Sequence, residues 1–189
     1  IGGQYLISNE NGSQYFRVEE YKRPKFEVKF EPVKGSYSLN DKVTTEGFAK
    51  TYSGANLNDV DVKYRVVRTT YFPYYNFRWR WYYDWYWGRN TEMEITNGTT
   101  GTDKKGKFKI DFDLIPDLSM PKETKPVFTF TVYVDVVDVT GETHSAQTSV
   151  QAGYVALVAN VNLPEILNNS IDAKYNVSTT NLNVQFEKA

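Results

Sequence analysis

His144, the only histidine of the 189-residue chain, stands in "GETHSAQ" with Glu142 and Ser145 close by. A nucleophilic triad needs hydroxyl, imidazole and orienting acid to converge. In an extended strand, adjacent residues point to opposite faces, so His144 and Ser145 cannot meet, and the expectation is an exposed strand histidine. Three acidic pairs, Asp59/Asp61, Asp111/Asp113 and Asp135/Asp138, have the residue types of a glycosidase or a calcium site. The first two fall at i, i+2 on the wet side of a strand or its lead-in. No D-x-[DN]-x-[DN]-G loop is present, so solvated charge is the expected reading. "NGTTG" (97–101) has glycines but no lysine and opens no helix, which rules out a phosphate loop. Asn11, Asn97, Asn168 and Asn176 lie in N-x-[ST] sequons. No constellation for an enzyme is found, and no cofactor or metal site is expected.

The remaining chemistry is aromatic. "YFPYYNFRWRWYYDWYWG" (71–88) carries all four tryptophans of the chain. Phe77, Trp79, Trp81, Tyr83, Trp85 and Trp87 fall on one parity, with Arg78, Arg80, Tyr82, Asp84 and Tyr86 on the other. As one strand the stretch would gather the first set on one face. Folded as a hairpin near 82–84 it would pair rings across strands instead. Six such rings carry on the order of 1,000 Å² of apolar surface, and a monomer seldom exposes a contiguous patch beyond about 600 Å². A covered face, packed within the chain or against another domain, is therefore expected. A protein-partner surface and a sugar platform are the rival uses.

Composition narrows the choice. Net charge is -1, so no basic field is available to hold a nucleic acid. No window of about 18 apolar residues is present to span a membrane as a helix. The chain has no cysteine, which excludes thiolate chemistry and leans towards the cytoplasm or a bacterial envelope compartment. The chain starts at Ile1 rather than Met and shows no basic n-region with an apolar h-region, so a mature or excised fragment is expected, whose signal could have been lost with the missing part.

The elements that must position these residues are strands. Phe26, Val28 and Phe30; Val60, Val62, Tyr64 and Val66; Phe108, Ile110, Phe112 and Leu114; and Phe128 through Val136 each alternate with polar neighbours, giving strands with one buried and one wet face. Turn-rich segments at 33–41, 51–59, 96–106, 116–126 and 138–143 separate them. Strands are expected near 25–33, 42–51, 60–70, 77–87, 90–96, 106–114, 127–138 and 142–152. The fold class is all-β: an immunoglobulin/fibronectin-III-like antiparallel β-sandwich with an aromatic-rich strand or hairpin insertion. Residues 12–22 read as a strand with no partner of its own, and 154–189 as two further strands.

"FRVEEYKRPKFEVKFEP" (16–32) resembles the V-E-E-Y-x-x-P-x-F-E-V junction of the alpha-2-macroglobulin family. "YSLNDKVTTEGFAKTYSGANLNDVDVKYRVVR" (37–68), "TDKKGKFKIDFDL" (102–114) and "YVDVVDVTGETHSAQTSV" (133–150) are similar, in order, to further family patterns. The likeness covers roughly residues 14–160 and looks closest to the cysteine-free bacterial branch. It implies three pieces. Residues 1–23 would be the terminal strand of a preceding macroglobulin-like domain with its linker. Residues 24–153 would be a complete macroglobulin-like sandwich, and 154–189 the first strands of the next. It also implies a structural role in a protease-trapping inhibitor, in which cleavage of a bait segment rearranges stacked domains. A C-x-E-Q thioester is absent here, as is any recognisable bait. The expected partners are neighbouring macroglobulin-like domains and, in the full-length protein, a target protease; the expected compartment is the bacterial periplasm or envelope. The residues expected to make interdomain or partner contacts are Glu19, Glu20, Tyr21, Arg23 and Pro24 in the linker, with Phe77, Arg78, Trp79, Arg80, Trp81, Tyr83, Trp85 and Trp87 in the aromatic stretch. The alternative function is a carbohydrate-binding or adhesion module that uses 71–87.

Overall fold

A computed structural model describes residues 3–18, 24–71, 92–161 and 176–185. The described elements are β1 (Gly3–Asn9), β2 (Gly12–Val18), β3 (Phe26–Phe30), β4 (Lys42–Thr51), β5 (Asp61–Tyr71), β6 (Met93–Gly101), β7 (Lys107–Asp113), β8 (Val127–Val137), β9 (Thr143–Gly153), β10 (Leu157–Val161) and β11 (Val177–Asn181), with one 3-10 turn at Lys122–Thr124. Two antiparallel sheets, ordered β3-β4-β7 and β6-β5-β8-β9, form the sandwich.

The alternation in the sequence is the reason for this arrangement. In β7 the side chains of Phe108, Ile110 and Phe112 are buried while Lys107, Lys109, Asp111 and Asp113 face water. In β8 the inward set is Phe128, Phe130, Val132, Val134 and Val136. The sheets meet through rings and β-branched residues, with Phe112 and Phe130 at 6.3 Å, while within the three-stranded sheet Phe30 stands edge-on to Phe108 at 5.5 Å. Burying a side chain of this size stabilises by about 1.5–3 kcal/mol, and such rows from both faces make the core.

Two corners use one device. Between β6 and β7, where the chain crosses from one sheet to the other, the Asp103 carboxylate accepts the N–H groups of Lys105 and Lys107, both at 2.8 Å. Gly106 then turns at φ +72, with its N–H bonded to the Asp103 carbonyl. Between β8 and β9, Asp138 accepts the N–H groups of Thr140 and Glu142, and Gly141 turns at φ +79. An aspartate that caps its own turn, followed by a residue free to take positive φ, is a local instruction to reverse the chain.

Two expectations are corrected. Residues 12–18 do have a partner. β2 pairs with β1 from Gly3↔Val18 to Asn9↔Gly12, and Asn9 accepts the Asn11 N–H to close a two-residue turn. The turn is centred on Glu10 and Asn11, and Gly12 already opens β2. The segment 96–101, expected as turn, is the second half of β6. It pairs with β5 from Val66↔Thr96 to Asp61↔Gly101, so ladder pairing overrides its turn-like composition. Gly98 fits because a Cβ there would stand 2.8 Å from the Tyr64 hydroxyl. The expected strand over 77–87 lies outside the described residues. β5 ends at Tyr71, β6 begins at Met93, and the two pair with each other.

Candidate functional site

The sandwich has two ends at which chain enters or leaves, and a third place where β5 gives way to the aromatic stretch. Of the residues expected to make contacts, Glu19, Glu20, Tyr21 and Arg23 lie outside the described residues, as do Phe77, Arg78, Trp79, Arg80, Trp81, Tyr83, Trp85 and Trp87. Pro24 is described and exposed.

At the incoming end, immediately after Pro24, the Lys25 N–H donates to Glu142 Oε1 at 2.9 Å, and Lys25 Nζ reaches Thr140 Oγ1 at 3.4 Å. The same Glu142 oxygen lies 2.8 Å from His144 Nε2. His144 also presents an edge to buried Phe26 at 4.4 Å. The histidine is therefore half-buried and engaged, not the exposed strand residue the sequence implied. Strand geometry explains the difference: residues i and i+2 share a face, which brings Glu142 and His144 together. It also turns Ser145 away, where its hydroxyl donates to Asp135. Imidazole and serine thus act separately. Asp138 anchors this corner, and the Thr140 hydroxyl foremost, with the backbone N–H groups it accepts, holds its carboxyl below the usual range. Of the other acidic residues, Asp111 accepts the Thr44 hydroxyl on the wet face of the three-stranded sheet. Among the described residues no group of three His, Cys, Asp or Glu side chains is placed to hold a metal ion.

At the outgoing end, the turn after β11 folds back on the sandwich. Asn181, Asn183 and Gln185 bond through their side-chain amides to the backbone of Gly35 and Gln151.

Where β5 approaches its last residue, Arg68 occupies the inward parity shared by Val62, Tyr64 and Val66 and is only 4% exposed. Its guanidinium donates to the Ile115 carbonyl at 3.0 Å and to Asp117 Oδ2 at 3.1 Å, and touches Met93 Sδ at 3.4 Å. It lies 5.9 Å from the centre of the Phe128 ring, and its Nε has no hydrogen-bond partner among the described residues. Burial pushes the Asp117 carboxyl up, but the Ser119 hydroxyl and N–H and the Arg68 charge together outweigh it and leave it below the usual range. Arg68 was not anticipated as a contact residue. Its parity in "VKYRVVR" was the available signal, since period two from Val62 points it inward.

No family model and no curated protein matches the chain. Solved structures do. A Salmonella alpha-2-macroglobulin point mutant matches over 100% of this chain and 13% of its own, with TM-score 0.60 and 11% identity. Native Escherichia coli alpha-2-macroglobulin matches over 96% of this chain and 11% of its own, with TM-score 0.58 and 10% identity. The trypsin-activated Escherichia coli protein matches over 85% and 11%, with TM-score 0.56 and 10% identity. The chain thus spans only about an eighth of the length of these relatives. At such identities the likeness is one of fold: an all-β sandwich of the macroglobulin-like type.

Proposed function

We propose that this chain is a non-catalytic structural module of a bacterial alpha-2-macroglobulin-like protease inhibitor. In this reading residues 24–153 form one macroglobulin-like sandwich, with 1–23 belonging to the preceding domain and its linker and 154–189 to the following one. The work is mechanical: cleavage elsewhere in the full-length protein changes how rigid sandwiches stack, and this module carries the change through its two ends. Its partners are the neighbouring macroglobulin-like domains and, through the assembled protein, a protease. The linker 19–24 and the aromatic stretch make its interdomain contacts, and the periplasm or envelope is its compartment. The observation that carries the reading is that a bacterial alpha-2-macroglobulin matches the whole of this chain, flanking strands included.

The test uses the full-length protein that contains this chain. Solution scattering is recorded before and after limited digestion with trypsin. The expected outcome is a cleaved but still associated protein with altered dimensions and the protease retained. Unchanged dimensions with free protease would sink the trap reading. Iodide quenching of the four tryptophans addresses the rival. A covered aromatic face keeps most of its fluorescence and ignores oligosaccharides, whereas a saturable spectral shift with an oligosaccharide would favour the carbohydrate-binding module.

A further inference from the structure

Only residues 154–156 separate β9 from β10, and a connection that short does not by itself fix the orientation of the β10–β11 hairpin. What fixes it comes from further along the chain. Asn181, 2% exposed at the end of β11, accepts the N–H groups of Asn183 (3.0 Å) and Gln185 (2.9 Å) at its Oδ1, which shapes the turn. Its Nδ2 donates to the Gly35 carbonyl at 3.2 Å.

Asn183 then treats Gln151 as a strand neighbour would. Its Oδ1 accepts the Gln151 N–H at 2.9 Å and its Nδ2 donates to the Gln151 carbonyl at 3.2 Å, adding one rung to the free edge of β9. The same Nδ2 donates to the Gly35 carbonyl at 3.3 Å, and Gln185 Oε1 accepts the Gly35 N–H at 2.8 Å. Both backbone groups of two residues far apart in sequence, Gly35 and Gln151, are thus satisfied by amides of one turn. Leu182 packs over Gly153, with Cδ1 3.3 Å from where a Cβ would stand. Backbone groups partly shielded from water, as at Gly35 and Gln151, are kept paired, and uncharged amides supply the partners without a titrating group.

We infer that the surface formed by Gly35, Gln151 and Gly153 is a docking site for the Asn181–Gln185 turn, and that this amide plug makes the sandwich and the β10–β11 hairpin one rigid body. The inference is independent of the protease-trap reading and survives its failure.

The cysteine-free chain allows a direct test. Spin labels are placed at Ser149→Cys and Val177→Cys, both exposed, in the whole 189-residue protein. The expected result is a single narrow distance distribution. Asn183→Asp keeps the acceptor for the Gln151 N–H but turns a carboxylate oxygen towards two carbonyls. It is expected to broaden the distribution at least twofold while the sandwich keeps its cooperative unfolding transition. A broad distribution in the parent protein, or an unchanged width in the variant, would overturn the inference. Hydrogen exchange on the parent protein decides the matter even if the variant fails to fold. The Gly35 and Gln151 amides are expected to be protected at least 100-fold over unstructured rates, and exchange at unstructured rates would refute the plug.

Discussion

Arg68 is the residue at which the core is least like hydrocarbon. A guanidinium removed from water must be matched by acceptors, and here a carboxylate and a carbonyl do so. The two partners are not equivalent, because Asp117 keeps more contact with water than Arg68. Removing the acid strands a buried charge, at about 3–5 kcal/mol. Removing the arginine leaves a carboxylate that water can still reach. Urea unfolding is therefore expected to show Asp117→Ala more destabilising than Arg68→Met, by about 1–2 kcal/mol. The reverse order would mean that packing of the arginine stem, not pairing of its charge, is what matters. Period two in the sequence already aims Arg68 inward. What the sequence lacked was the acceptor, supplied 49 positions later by a connection whose path depends on the assembled sandwich. His144 teaches the same lesson: its strand and its proximity to Glu142 were readable, but its contacts with Phe26 and the incoming backbone required β3 to lie beside β9.

At the scale of elements, the strands with alternating patterns were legible almost throughout, because burial of one face fixes both the period and the register. β4, β5, β7, β8 and β9 lie within a residue or so of their expected bounds. The failures share a cause. β1 has no simple alternation, and the second half of β6 has turn-like residues, so in each the ladder with a neighbour makes the strand. The corners were legible too, since "TDKKG" and "DVTG" place a capping aspartate three residues before a glycine. Their chemistry sets an acid response. The Asp103 carboxyl, held low first by the Lys107 N–H, and the Asp138 carboxyl, held low first by the Thr140 hydroxyl, each have a folded-state pKa below the ordinary aspartate value of 3.8. Their contribution is in full force above that value and is lost as pH falls through the lower, folded one. Melting temperature is expected to fall as pH drops below about 3.8. Asp103→Asn with Asp138→Asn, which retains an acceptor at each corner, should flatten that fall. An undiminished slope in the double variant would place the acid response elsewhere.

For the whole molecule, the two ends sit on one strand. β9 begins beside His144 and Glu142, which hold the incoming chain at Lys25 and Phe26. It ends at Gln151 and Gly153, where the outgoing turn is seated. Its eleven residues span about 34 Å, and each is paired with β8 from Val137↔Thr143 to Val127↔Gly153. Because Phe26 and His144 are neighbours, β3 and β9 start together, and tension between Lys25 and Gly153 pulls their opposite ends lengthwise. The load falls on both sheets in shear, through the β3–β4 and β8–β9 ladders, and is spread over many hydrogen bonds at once. The β1–β2 hairpin, pulled through its termini, would instead open one rung at a time from the Gly3↔Val18 end. Single-molecule stretching is expected to show early events at low force for the β1–β2 and β10–β11 hairpins, and a late one at high force for the sandwich. A sandwich that gave way at hairpin-like force would show that the ends do not share that strand under load. A sandwich gripped at both ends of one strand keeps its length while the hairpins beside it extend.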